Sequence, residues 1–156
     1  MDKLNSWIKA SRLPSQSYIF FPLLLGQGFY YNITRNFSIV FFILIQLFGL
    51  LIQLYIVYAN DYADYEIDKT NDTFNIFSGG SRVLVENLIS KKEMKKAIII
   101  VVGLNFLLGI ILTLGFRRFF SIPMITISFL LLWAYSYSPI RLSYSCLLYT
   151  SPSPRD

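Results

Sequence analysis

Histidine is absent from this chain of 156 residues, and cysteine occurs once, at Cys146. The first absence excludes an imidazole metal site or a histidine base. The second excludes an internal disulfide and a cysteine-based metal site. Charge is also scarce. Asp, Glu, Lys and Arg make up 15% of the residues, against about 25% in an ordinary soluble domain. The shortage is uneven: 22 uncharged residues separate Arg12 from Arg35, 25 separate Arg35 from Asp61, 20 separate Lys96 from Arg117 and 22 separate Arg118 from Arg141. A helix rises about 1.5 Å per residue and a bilayer core is about 30 Å thick, so roughly 20 apolar residues span it. Four runs reach that length. A soluble helical bundle would need a polar face on each helix, and these runs have none.

The fold expected is therefore all-α, a polytopic transmembrane helical bundle. Loop cations set its orientation. Lys3, Lys9 and Arg12 precede the first run. Lys69, Arg82, Lys91, Lys92, Lys95 and Lys96 lie between the second and third, and Arg141 follows the fourth. The opposite side carries Arg35, Arg117 and Arg118. The N-terminus and the loop from Asp61 to Lys96 are thus expected in the cytoplasm. This asymmetry accounts for the net charge of +5 with no nucleic-acid partner.

Residues 1–12 read as an amphipathic or irregular lead-in with Trp7 at interfacial depth. The first helix is expected from about Ser17 to Tyr31, with Pro22 and Gly26 inside it, and the second from Ser38 to past Asn60. Ser90-Lys91-Lys92-Glu93 is a capping-box pattern that starts the third near Lys91. The fourth follows Arg118. The first run is long for a signal peptide and lacks a small-residue cleavage site. Residues 145–156 are neither periodic nor apolar enough to span. They are read as a non-native or disordered tail and set apart from the unit at 1–144.

Acidic residues concentrate in one place, Asn60-Asp61-Tyr62-Ala63-Asp64-Tyr65-Glu66-Ile67-Asp68. On a helix, Asn60, Asp64 and Asp68 at i, i+4 and i+8 form one stripe, and Asp61 lies beside Asp64. Like charges on one face repel. Mg²⁺ reverses that balance, since it takes one or two carboxylates plus substrate phosphates and waters. A solvated loop face is the plainer reading. An EF-hand is excluded, because residues 61–72 lack its alternation and its glycine. Gln46, Gln53 and Asn60 repeat at i+7 and form a polar stripe toward the cluster. Hydrogen bonding between helices is the preferred reading for the two glutamines over substrate contact. Ser78-Gly79-Gly80-Ser81-Arg82 offers backbone N–H groups and a guanidinium suited to phosphate. Tyr137-Ser138-Pro139-Ile140-Arg141 places a hydroxyl and a cation at i and i+4, and Arg141 reads equally well as a positive-inside anchor.

These residues resemble the UbiA-type intramembrane prenyltransferases. Asn60 to Asp68 is similar to that family's first Asp-rich motif, N-D-x-x-D-x-x-x-D. Tyr137 to Arg141 resembles its Y-x-x-x-K element with Arg in place of Lys, and Arg12-Leu13-Pro14 with Pro22 and Gly26 resembles its opening segment. Within the family, Asn60-Asp61-Tyr62 with the stretch from Phe77 to Leu84 looks most like the menaquinone branch, which prenylates 1,4-dihydroxy-2-naphthoate.

The resemblance implies about nine helices, of which four are present here. It implies a polyprenyl diphosphate donor, an aromatic acceptor and a bacterial-type cytoplasmic membrane. It also implies Mg²⁺ held through Asn60, Asp61, Asp64 and Asp68, with Asp64 and Asp68 catalytic. Arg82, Tyr137 and Arg141 would bind diphosphate, with Arg12, Ser81 and Lys69 as weaker candidates. The family's second Asp-rich motif has no counterpart after Asp72, so the chain is expected to be half of an enzyme, inactive and poorly folded alone. Other acceptors (4-hydroxybenzoate, haem, chlorophyllide or glyceryl phosphate) stay open, as does a non-enzymatic cation-binding membrane protein.

Overall fold

The computed structural model describes residues 2–70, 80–137, 139, 140 and 142. Among them every regular element is helical: α1 (Lys3–Ala10), a 3₁₀ turn (Leu13–Gln16), α2 (Ser17–Thr34), α3 (Ile39–Ala63), α4 (Tyr65–Thr70), α5 (Lys91–Phe116) and α6 (Ser121–Ser136). The all-α expectation holds. Each of the four uncharged runs becomes one helix, because a backbone in hydrocarbon must satisfy its hydrogen bonds within its own segment. α3 and α5 are long and apolar enough to cross a membrane. α2 has 18 residues and carries Gln27 at its centre, and α6 has 16 residues.

Local chemistry sets the ends of the long helices. The Ser90 side chain accepts from the Glu93 N–H at 3.2 Å, while the Ser90 N–H donates to Glu93 Oε2 at 2.9 Å. That is the full capping box, and it starts α5 at Lys91 as the sequence predicts. Ser38 caps α3 with its side chain alone, accepting from the Phe41 N–H at 3.3 Å. α2 and α5 each stop on an arginine in the left-handed conformation, Arg35 (φ 55°) and Arg117 (φ 54°).

α3 lies at the centre, against α2, α5 and α6. Small residues permit its closest approaches. A Cβ at Gly49 would overlap Leu23 Cδ1, and one at Gly109 of α5 would sit 2.6 Å from Ile125 Cδ1 of α6. The helices alternate in direction, so the bundle has two ends. At one, Phe41 meets Phe116 with ring centroids 5.4 Å apart. At the other, α1 folds back and Trp7 packs edge-on against Tyr58 at 5.8 Å. The main core lies toward this second end. It joins Tyr55, Val57, Tyr58 and Ala59 of α3 to Val83, Leu84, Ile89 and Met94 from the connection before α5 and its first turn.

Candidate functional site

The Asn60–Asp68 segment lies at the second end, and the helix is not continuous through it. α3 stops at Ala63, Asp64 occupies its C-cap, and α4 starts at Tyr65. The i+4 relation survives the break. The Asp64 N–H donates to the Asn60 carbonyl at 2.9 Å and the Asp68 N–H to the Asp64 carbonyl at 2.8 Å. Asn60, Asp64 and Asp68 therefore remain on one stripe.

The acidic residues of the segment divide into two groups. Asp61 is buried and accepts from Arg12 Nη2 and from Ser81 Oγ, with the Ser81 N–H at 3.4 Å. Expected beside Asp64 as a metal ligand, it contacts the chain's own cation and hydroxyl in this structure. Spacing along one helix does not reveal this, because Arg12 is 49 residues away. Glu66 faces Lys91, whose Nζ lies 3.1 Å from its carboxylate and 4.1 Å from the centre of the Tyr65 ring. Asp64 and Asp68 remain on the stripe with Asn60.

The carboxyl of Asp68 is pushed above the usual carboxylate range, first by burial and then by the negative charges of Asp64 and Asp61. Arg12 and Arg82 oppose the rise. Gly80 sits among these groups. A Cβ there would lie 2.9 Å from Asp68 Oδ2 and 3.0 Å from both Arg12 Nη2 and Asp61 Oδ1. Only a residue without a side chain leaves these groups the space they share. Arg12 and Arg82 both adopt positive φ, 44° and 56°, a conformation that costs a non-glycine residue about 1 kcal/mol. In that geometry the Arg82 guanidinium reaches the Asp68 backbone carbonyl at 3.3 Å.

On the neighbouring helix end, Ser136 Oγ donates to Asn60 Oδ1 at 2.7 Å and the Tyr137 hydroxyl donates to the Ala59 carbonyl at 3.2 Å. Burial, then Tyr55, Tyr62 and Asp64, push the Tyr137 hydroxyl up to about 12, so it stays a neutral donor. Lys69 is exposed at the end of α4. Arg141, Ser138, Ser78, Gly79 and the 145–156 tail lie outside the described residues. Sequence reasoning missed Ser136 and the space at Gly80, since neither belongs to a charged pattern. Gln46 bears out the helix-to-helix reading: its Nε2 donates to Gln27 Oε1 at 2.7 Å.

Among the described residues no three carboxylates converge as an all-protein metal cage. A pair of neighbouring carboxylates, with a carboxamide one turn away, suits Mg²⁺ shared with substrate phosphate oxygens, since that ion keeps waters and takes few protein ligands. The residues present fit such a shared ion.

Two helices of membrane-spanning length in an all-helical chain, with an acidic helix end flanked by arginines, describe an all-α membrane protein. Residues 19–150 match the UbiA prenyltransferase family, and the chain belongs to it. Its class of chemistry is thus prenyl transfer to an aromatic acceptor. No curated protein and no solved structure matches the chain.

Proposed function

We propose that this end of the bundle binds the Mg²⁺-complexed diphosphate of a polyprenyl donor and directs the prenyl group to 1,4-dihydroxy-2-naphthoate, a step of menaquinone biosynthesis. The observation that supports it best is the Asn60–Asp64–Asp68 stripe, kept in register by two backbone hydrogen bonds across the break at Asp64. Asn60, Asp64 and Asp68 would hold the metal. Arg82 and Arg141 would take charge from the leaving diphosphate, and Tyr137 would supply a neutral donor. Bound there, Mg²⁺ contributes Lewis-acid stabilisation of the departing oxygens.

The chain's own part is electrostatic: cations and donors fixed beforehand where negative charge develops. As the donor's C1–O bond breaks, its electron pair leaves with the diphosphate. An acceptor ring carbon bonds to C1, and the acceptor's carboxylate departs as CO₂. Asp61 holds the Ser81–Arg82 connection through Ser81 and is itself held by Arg12, so it positions the site. In this reading α2, α3, α5 and α6 all span the membrane, with the N-terminus and the acidic end in the cytoplasm, as the loop cations direct.

The test uses membranes carrying the full-length gene product, Mg²⁺, a polyprenyl diphosphate and 1,4-dihydroxy-2-naphthoate. Asp64→Asn and Asp68→Asn are each expected to lower turnover by about a hundredfold or more, the scale of losing a preorganised electrostatic contact. Wild-type turnover in either variant removes the metal assignment. Prenylated 4-hydroxybenzoate formed in place of the naphthoate product replaces the acceptor and leaves the site intact. No diphosphate-dependent product at all favours a cation-binding scaffold.

A further inference from the structure

We propose a second binding site, for an anionic phospholipid, in the groove between α2 and α3 at the bundle end opposite the acidic cluster. It rests on none of the residues assigned to prenyl transfer. The groove encloses about 620 Å³, within the roughly 300–1,000 Å³ of ordinary ligand pockets. Its walls are mostly apolar, from Leu23 on α2 and Phe42 and Ile45 on α3, with Asn36 and Ser38 also lining it and Arg118 at the rim. Gly26 leaves the α2 wall open, since a Cβ there would meet nothing within 4 Å.

Of the two amides that line it, Gln27 and Asn36, Gln27 is engaged within the protein. Gln27 donates to the Phe42 carbonyl at 3.3 Å and accepts from Gln46 at 2.7 Å. The apolar walls thus suit a hydrocarbon chain.

The rim suits an anion. The Arg118 guanidinium lies 5.1 Å from the centre of the Phe41 ring and 5.9 Å from that of Tyr30. These aromatic faces hold the cation in place without neutralising it. No acidic residue occurs between Asp2 and Asp61 or between Glu93 and Asp156. Among the described residues no ion pair involves Arg35, Arg117 or Arg118, which lie at the end where arginine is disfavoured by the usual loop asymmetry. α6 also begins at Ser121 with no side-chain cap, so its positive end adds to the field. A phosphodiester headgroup with no cation of its own would meet Arg118 while an acyl chain enters the groove. Phosphatidylcholine has the same chain but brings a quaternary ammonium with its phosphate. A soluble phosphate satisfies the rim and leaves the groove unused.

The test places the full-length gene product in nanodiscs of equimolar phosphatidylglycerol and phosphatidylcholine with identical acyl chains. Lipids that stay bound on release are then counted by native mass spectrometry. Phosphatidylglycerol is expected to exceed phosphatidylcholine by about fivefold, the scale of one arginine acting on an anionic headgroup. Arg118→Gln should make the two equal, and Arg118→Lys should keep the preference. Gly26→Leu should lower retention of both lipids by filling the apolar wall.

Equal retention by the wild type overturns the proposal, and so does an undiminished preference in folded Arg118→Gln. Displacement by millimolar inorganic phosphate, or lipid counts unchanged in Gly26→Leu, does the same. If Arg118→Gln loses its helical circular dichroism, the other two variants decide. Loss of lipid in Gly26→Leu with the preference kept in Arg118→Lys supports the site; any other pair of results overturns it.

Discussion

The two ends of α3 sit in different surroundings. From Gly49 onward the helix is largely buried and ends in paired polar groups, with Asp61 against Arg12 and Asn60 against Ser136. Its first ten residues include none that are buried, and its partner α2 has no buried residue at all. The acidic end is closed over by neighbouring parts of the same chain. The arginine end is open and aromatic. Polar groups that must converge on a substrate need their side chains fixed by other contacts, whereas a lipid-facing groove needs only shape and one unneutralised cation.

The contrast breaks most sharply at Arg12. Removing one partner of a buried ion pair leaves the other charge unpaired, at about 3–5 kcal/mol. The Asp61 side chain is 4% exposed, so Arg12→Ala should destabilise the chain on that scale, with a fall in the detergent melting midpoint. A midpoint within a degree or so of wild type would mean that Asp61 finds water or another cation, and that the acidic end is as loose as the other.

Two glycines on neighbouring helices sharpen the comparison at a smaller scale. Gly49→Ala drives a methyl into Leu23 and should cost about 1–3 kcal/mol, as overpacking does. Gly26→Ala enters open space and should stabilise by up to about 1 kcal/mol through helix propensity. Equal effects in parallel melts would show that the two ends are packed alike.

The smallest effect is expected at Asp68. Its pKa is raised in the folded chain, so folding favours the protonated form. That contribution is complete below the ordinary value of 3.8 and is lost as pH rises through the raised value. Metal-free Asp68→Asn should therefore melt slightly higher than wild type at neutral pH, with the gap closing toward acid. The same variant should lose the stabilisation that Mg²⁺ with inorganic diphosphate gives the wild type. A lower melting midpoint at neutral pH would contradict the repulsion among Asp61, Asp64 and Asp68.

Much of this was legible in the residues. Four uncharged runs prescribe four helices, because hydrocarbon tolerates neither charge nor unpaired backbone. Ser90 and Glu93 mark the start of α5 by a local hydrogen-bond pattern. Asn60, Asp64 and Asp68 share a stripe because the helical period is fixed. The UbiA resemblance at Asn60–Asp68 agrees with the family match over 19–150.

Other features depend on residues far apart in sequence. Nothing in the cluster's spacing announces that Asp61 pairs with Arg12. Asn60 meets Ser136 across 76 residues, and Gly80 matters only because three side chains converge on its space. The sequence by itself determined the helices, their approximate lengths and the acidic motif, since these follow from periodicity and from the cost of burying charge. The tertiary structure alone decided which carboxylates are paired, where α3 breaks and which end stays open. Those outcomes depend on side chains from different helices competing for the same few ångströms.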